Sequence, residues 1–127
     1  MNKICTDINQ SMKLIELGLD VNTSDMYYPN RTDIQYQGAL PIGMKHGNSL
    51  LAQEIPAWSL SALLDLMPKI HGERPKLDTG SIQTEKYYVE YPYHESTKND
   101  WYSTKLCDSA VDACYEMIIK LNELNLL

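Results

Sequence analysis

At 127 residues, with 43% hydrophobic and 22% charged residues, the chain is long enough for one domain with a buried core and carries neither a low-complexity tract nor a repeat of solenoid period. Its eleven Lys and Arg stand against seventeen Asp and Glu, a formal charge of −6, and no three basic residues cluster, which argues against phosphate neutralisation and hence against nucleic-acid binding. No apolar run approaches the roughly 18 residues of a membrane span, MNKICTDINQ lacks the apolar segment of a signal peptide, and the cysteines Cys5, Cys107 and Cys114 form no C-x-x-C pair, so a cytoplasmic protein in a reducing compartment is expected.

Thr6 is placed to cap a first helix in TDINQSMKLIELGLD, with Ile8, Met12, Ile15 and Leu19 along one side. Gly18 ends it. With Gly at C′, Leu19 falls at C″ and Leu14 at C3, the pair that meets in a Schellman ending. DMYYPNRTDIQYQGAL then offers strands at residues 26–28 and 33–38, with Pro29, Asn30 and Arg31 as the turn of a hairpin, and residues 41–54 read as a loop.

Ser59 caps a second helix that Pro68 stops; Trp58 at N′ and Leu63 at N4 are set for a hydrophobic staple, and Leu60, Leu63, Leu64 and Met67 form its apolar face. Residues 69–80 read as loop and turn. In KYYVEYPYHE, residues 86–95, Tyr87, Val89, Tyr91 and Tyr93 share the face turned to the core, and Tyr88, Glu90, Pro92 and His94 share the other. WYSTKL, residues 101–106, reads as the returning strand of a second hairpin. Asp108 or Ser109 caps the last helix, where Ser109 and Asp112 resemble a capping box. Ala110, Cys114, Met117, Ile118, Leu121 and Leu124 form its stripe, and Glu116 with Lys120 is an i, i+4 pair on the exposed side.

The order α-β-β-α-β-β-α, with hairpin-linked strands and no βαβ spacing, argues a single α+β domain in which three helices pack on a small antiparallel sheet of about four strands. The chain has nine tyrosines and no phenylalanine, so the tyrosines of residues 86–95 read mainly as sheet residues that bury the ring while the hydroxyl finds a partner.

Together, CTDINQSMKLIELGLD, IPAWSLSALLDLMP and DSAVDACYEMIIKLNEL resemble a group of small uncharacterised proteins encoded in prophages and mobile elements of gut bacteria. They also look like a looser form of the phage helix–sheet–helix (ABA) sandwich proteins. The likeness covers the two ends and the middle helix and leaves out residues 41–54 and 69–80. It implies a mobile-element setting and a fold, and it brings no catalytic residue, because the shared positions, among them Trp58, Leu63, Met117 and Leu121, are of the packing kind.

The residues that carry chemistry are few. GALPIGMK, residues 38–45, outlines a phosphate loop, but Met44 stands where a lysine must follow the second glycine. His46, His71 and His94 are too far apart in sequence to build a local metal pair, so neither a metal nor another cofactor is expected. Cys107 precedes a helix N-terminus, where amides and the helix dipole favour a thiolate, and His94 as its base would make a thiol-dependent hydrolase; no oxyanion-hole motif accompanies the pair. The leading expectation is a non-enzymatic accessory protein that binds a host or phage protein through a patch of Tyr28, Tyr36, Tyr88 and His94. The alternative is a small ligand of nucleotide type, held by Ser103, Thr104 and Ser109 at the start of the last helix, in an oligomer that sequesters it. Tyr115, Ile119, Leu126 and Leu127 add apolar surface on other sides of that helix, so a homodimer is expected.

Overall fold

The computed structural model describes residues 3–29, 42–43, 54–70, 72–81, 86–91 and 102–127. The fold is α+β: among the described residues there are three α-helices, with antiparallel strands between the first and second and between the second and third. The described strands form two three-stranded sheets rather than one. The chain divides into two compact units, one of Ile4–Ala62 and one of Met1–Lys3 with Leu63–Leu127.

In the first unit, helix α1 (Ile8–Glu16) is capped by Asp7, not Thr6. The Asp7 carboxylate accepts from Gln10 N–H at 2.7 Å while Gln10 Oε1 accepts from Asp7 N–H at 3.0 Å, a reciprocal capping box. Thr6, one residue too early for that geometry, is fully buried and holds α1 to the segment before the second helix. Its N–H donates to the Trp58 carbonyl at 2.9 Å, and its Oγ1 accepts from Trp58 N–H at 3.1 Å and shares a hydrogen bond with Ser11 Oγ at 2.8 Å. Ser11 and Leu14 face inward, so the expected stripe is displaced and Met12 and Ile15 are exposed. The helix ends as expected, with Gly18 at φ +94°, Gly18 N–H on the Ile15 carbonyl at 2.9 Å and Leu19 N–H on the Leu14 carbonyl at 3.2 Å.

After a 3-10 turn at Val21–Thr23, β1 (Met26–Tyr28) lies between β2 (Ile42–Gly43) and β3 (Ile55–Ala57). β1 falls where expected. The companion strand expected at residues 33–38 lies outside the described residues, and β2 and β3 occur in text read as loop and as helix approach. Pro56 hid β3, because proline cannot donate to a ladder; here β3 is the outer strand of the order β2-β1-β3, where that loss is tolerated. Tyr28, Cys5 and Ala57 form a buried cluster with Ile8, Met26 and Ile55 against it, and Tyr27 and Pro56, opposite each other in the register, are buried as well.

Helix α2 (Leu60–Leu66) begins at Ser59 as expected, with Ser59 Oγ accepting from Ala62 N–H at 3.2 Å. Ser59 is in turn held by the Asp25 carboxylate, which accepts from its N–H at 2.9 Å and from its hydroxyl. Trp58 and Leu63 are both fully buried, and the Trp58 indole N–H donates to Thr23 Oγ1 at 2.9 Å.

In the second unit, β5 (Lys86–Tyr91) is the middle strand of the order β4-β5-β6, between β4 (Lys76–Ser81) and β6 (Tyr102–Ser103). β4 replaces the loop expected at residues 69–80. The β4–β5 register runs from Lys76 opposite Glu90 to Thr79 opposite Tyr87, and then shifts so that Gly80 is the extra residue of a bulge before Ser81 opposite Lys86. The returning segment is regular only over β6, then follows β5 through other bonds. Thr104 N–H donates to the Val89 carbonyl at 2.9 Å, Thr104 Oγ1 accepts from Val89 N–H at 3.0 Å, and Cys107 and Tyr87 exchange both backbone bonds.

Helix α3 (Ala110–Glu123) packs on β5 and β4. Ser109 is its N-cap, accepting from Asp112 N–H at 3.0 Å, while the Asp112 carboxylate pairs with Lys3 at 2.8 Å. Val111, Ala113, Cys114, Met117, Ile118 and Leu121 are buried, whereas Leu124 is exposed. The expected Glu116–Lys120 pairing is replaced by contacts to the strand side: Glu116 lies 4.0 Å from Lys105, and Lys120 Nζ donates to the Ser103 carbonyl at 3.2 Å. The helix ends in a second Schellman turn, with Asn125 at φ 57° in place of glycine and Leu126 N–H on the Leu121 carbonyl at 2.9 Å.

Candidate functional site

The alternation of β5 decides which tyrosines are available. Val89 and Tyr91 are fully buried, and the Tyr91 hydroxyl donates to the Pro68 carbonyl at 2.7 Å. Burial pushes that phenol up to about 12. Tyr88 and Glu90 occupy the other face of the strand and are half-buried, with Asp78 of β4 directly across from Tyr88 and Lys76 across from Glu90. The Tyr88 phenol is raised, first by desolvation and then by the negative charges of Asp78 and Glu90. A phenol beside two carboxylates stays protonated and keeps its hydroxyl as a donor.

Of the other residues expected in this patch, Tyr28 belongs to the core of the first unit. It is 7% exposed, its hydroxyl donates to the Thr6 carbonyl at 2.8 Å with Cys5 Sγ 3.9 Å away, and burial with Cys5 and Asp7 raises its pKa far above that of a free phenol. Both faces of β1 are covered, which a three-residue strand does not reveal in its alternation. Tyr36 and His94 lie outside the described residues. Asp78 was missed because KLDTG reads as turn chemistry; the signal available was the alternation of Lys76, Asp78 and Gly80 against Leu77 and Thr79.

The three hydroxyls expected to hold an anion are not brought together in one site. Ser109, 5% exposed, is committed to capping α3, and its surroundings are the carboxylates of Asp108 and Asp112, paired with Lys86 and Lys3. Each of those acids is balanced by its lysine, and the Ser109 hydroxyl is already engaged as the helix cap. Ser103, Thr104 and Lys105 instead line a surface cleft of about 320 Å³ whose other wall is α3, with Glu116, Ile119, Lys120 and Glu123 along it.

The surroundings of Cys107 disfavour a thiolate. It is 7% exposed, its Sγ–H donates to the Lys105 carbonyl at 3.4 Å, and its pKa is raised by burial and by Glu116, Asp112 and Asp108 against an opposing effect of Lys105. The expected gain from the helix start is outweighed by desolvation and by acids clustered there. Cys114, fully buried on α3, is pushed up to about 12, chiefly by burial.

No protein-family model, curated protein or solved structure matches the chain. Among the described residues no helix is long and apolar enough to cross a membrane, and no group of His, Cys, Asp or Glu is arranged to hold a metal ion.

Proposed function

We propose that the protein is a non-enzymatic binding module that recognises a protein partner through the face of the β4–β5–β6 sheet centred on Tyr88. The observation that carries this reading is the placement of one half-buried tyrosine on the middle strand, directly across from Asp78 and two residues from Glu90. An aromatic ring supplies contact area at low entropic cost, and the flanking carboxylates select a basic side chain of the partner. The protonated, buried thiol of Cys107 supports a non-catalytic role. A host or phage protein as partner, and the cytoplasm as the place of action, belong to the same proposal.

Self-association belongs to the same reading. Leu124, Leu126 and Leu127 are 43%, 37% and 46% exposed, a cluster of apolar surface at the end of α3 that a second copy would bury. Ile119, expected there, lines the cleft instead.

The test compares tagged parent protein with Tyr88→Ala in capture experiments from host lysate followed by mass spectrometry, with circular dichroism to verify folding. A protein retained by the parent and lost with the folded variant is the expected result. Equal retention by both would place binding elsewhere.

A further inference from the structure

The cleft between the 103–105 segment and α3 has a charge pattern that the sheet-face reading does not use. On the helix wall Glu116, Ile119, Lys120 and Glu123 fall at i, i+3, i+4 and i+7, so one stripe of α3 presents acid, apolar, base and acid in order. Lys105 on the opposite wall lies 4.0 Å from Glu116, which leaves the cleft with two ammonium groups, two carboxylates and no net charge. A simple anion meets the two glutamates and a simple cation meets the two lysines. A ligand that carries both charges meets neither penalty.

We propose that this cleft binds a small zwitterion of the α-amino-acid type with an apolar side chain. Lys120 Nζ, fixed by its bond to the Ser103 carbonyl at 3.2 Å, keeps further N–H donors for the ligand carboxylate. Thr104 Oγ1 accepts from Val89 N–H at 3.0 Å and keeps its own proton as a second donor for that carboxylate. Glu123, one turn along α3 from Lys120, accepts from the ligand ammonium, and Ile119 on the helix wall takes the side chain. The volume of about 320 Å³ admits an amino acid of leucine size with room for water.

The test is a titration of the isotopically labelled full chain with L-leucine followed by amide NMR. Saturable shifts confined to Thr104, Lys105 and the 116–123 stretch are expected, together with binding about tenfold or more weaker for N-acetyl-leucine and for leucine amide, each of which lacks one charge. Lys120→Met weakens leucine by a similar factor and abolishes the penalty for amidation, while Glu123→Gln abolishes the penalty for acetylation; both sites are on the surface, and the amide spectrum reports that each variant is folded. Absence of saturable shifts with leucine in the tens of millimolar, or equal binding of leucine and both capped forms, overturns the proposal. Shifts at the cleft caused only by a nucleotide would also overturn it, in favour of a phosphate ligand.

Discussion

Replacing Tyr28 by phenylalanine removes one oxygen and leaves the ring in place, so it isolates what a hydroxyl contributes in a chain that uses no phenylalanine. The lost bond is the 2.8 Å donation to the Thr6 carbonyl, inside a residue that is 0% exposed. A neutral hydrogen bond contributes about 1 kcal/mol net, and a stranded buried acceptor costs about 1–3 kcal/mol, so Tyr28→Phe is expected to cost about 1–2 kcal/mol. Tyr91→Phe breaks the 2.7 Å bond to the Pro68 carbonyl, but Pro68 is only half-buried and water can replace the donor, so its cost stays near about 1 kcal/mol. Tyr88→Phe acts at the surface and stays within about 0.5 kcal/mol. In urea unfolding followed by circular dichroism, with a slope of roughly 2 kcal/mol per molar, the Tyr28→Phe midpoint falls by about 0.5–1 M and the order of damage is 28, then 91, then 88. A Tyr28→Phe midpoint within about 0.2 M of the parent would refute the reasoning and mean that tyrosine merely stands in for phenylalanine.

Burial holds Tyr91 protonated up to about 12, whereas the unfolded phenol ionises near 10, so its contribution is complete below about pH 10 and is lost as pH rises toward 12; Tyr91→Phe is expected to flatten that part of an alkaline unfolding profile. Gly18→Ala places a side chain at φ +94° with no atom within 4 Å, so the penalty is backbone strain alone, about 1 kcal/mol by thermal unfolding, and Gly18→Asn costs less. Iodoacetamide modifies Cys107 at pH 7 more slowly than it modifies free cysteine, and mass spectrometry after unfolding in urea shows the thiol restored to ordinary reactivity. Leu126→Lys converts a dimer at micromolar concentration to a monomer by light scattering, and a parent that is already monomeric refutes the self-association reading.

Helix ends and the middle strand were legible because their signals are local. Gly18 with Leu14 and Leu19, Ser59 before Leu60, and the buried alternation of Val89 and Tyr91 each depend on a few neighbouring residues, and each is found as expected. The errors arose where distant partners decide. Thr6 is a good cap by type, but Trp58 claims its side chain and Asp7 takes the helix; KLDTGS carries turn residues, but pairing with β5 makes it a strand. The site was less legible than the fold. Tyr28 and Tyr88 are the same residue type in short strands, and only the covering of both faces of β1 buries the first. Glu116 and Lys120 read as a solvated pair because sequence spacing does not reveal the wall across from a helix.

The bulge at Gly80 bears on how the protein behaves in concentrated solution. Among the described residues β4 is the outermost strand on its side of the sheet, a position where bare backbone invites a second chain to add itself and start a fibre. Two features disfavour that addition: Lys76 and Asp78 place opposite charges along the strand, and the extra residue breaks its hydrogen-bond rhythm. The Leu106 side chain occupies the place that a Cβ on Gly80 would take, so the extra residue has to be one without a side chain. The glycine keeps the strand's edge irregular by leaving space rather than by making a contact.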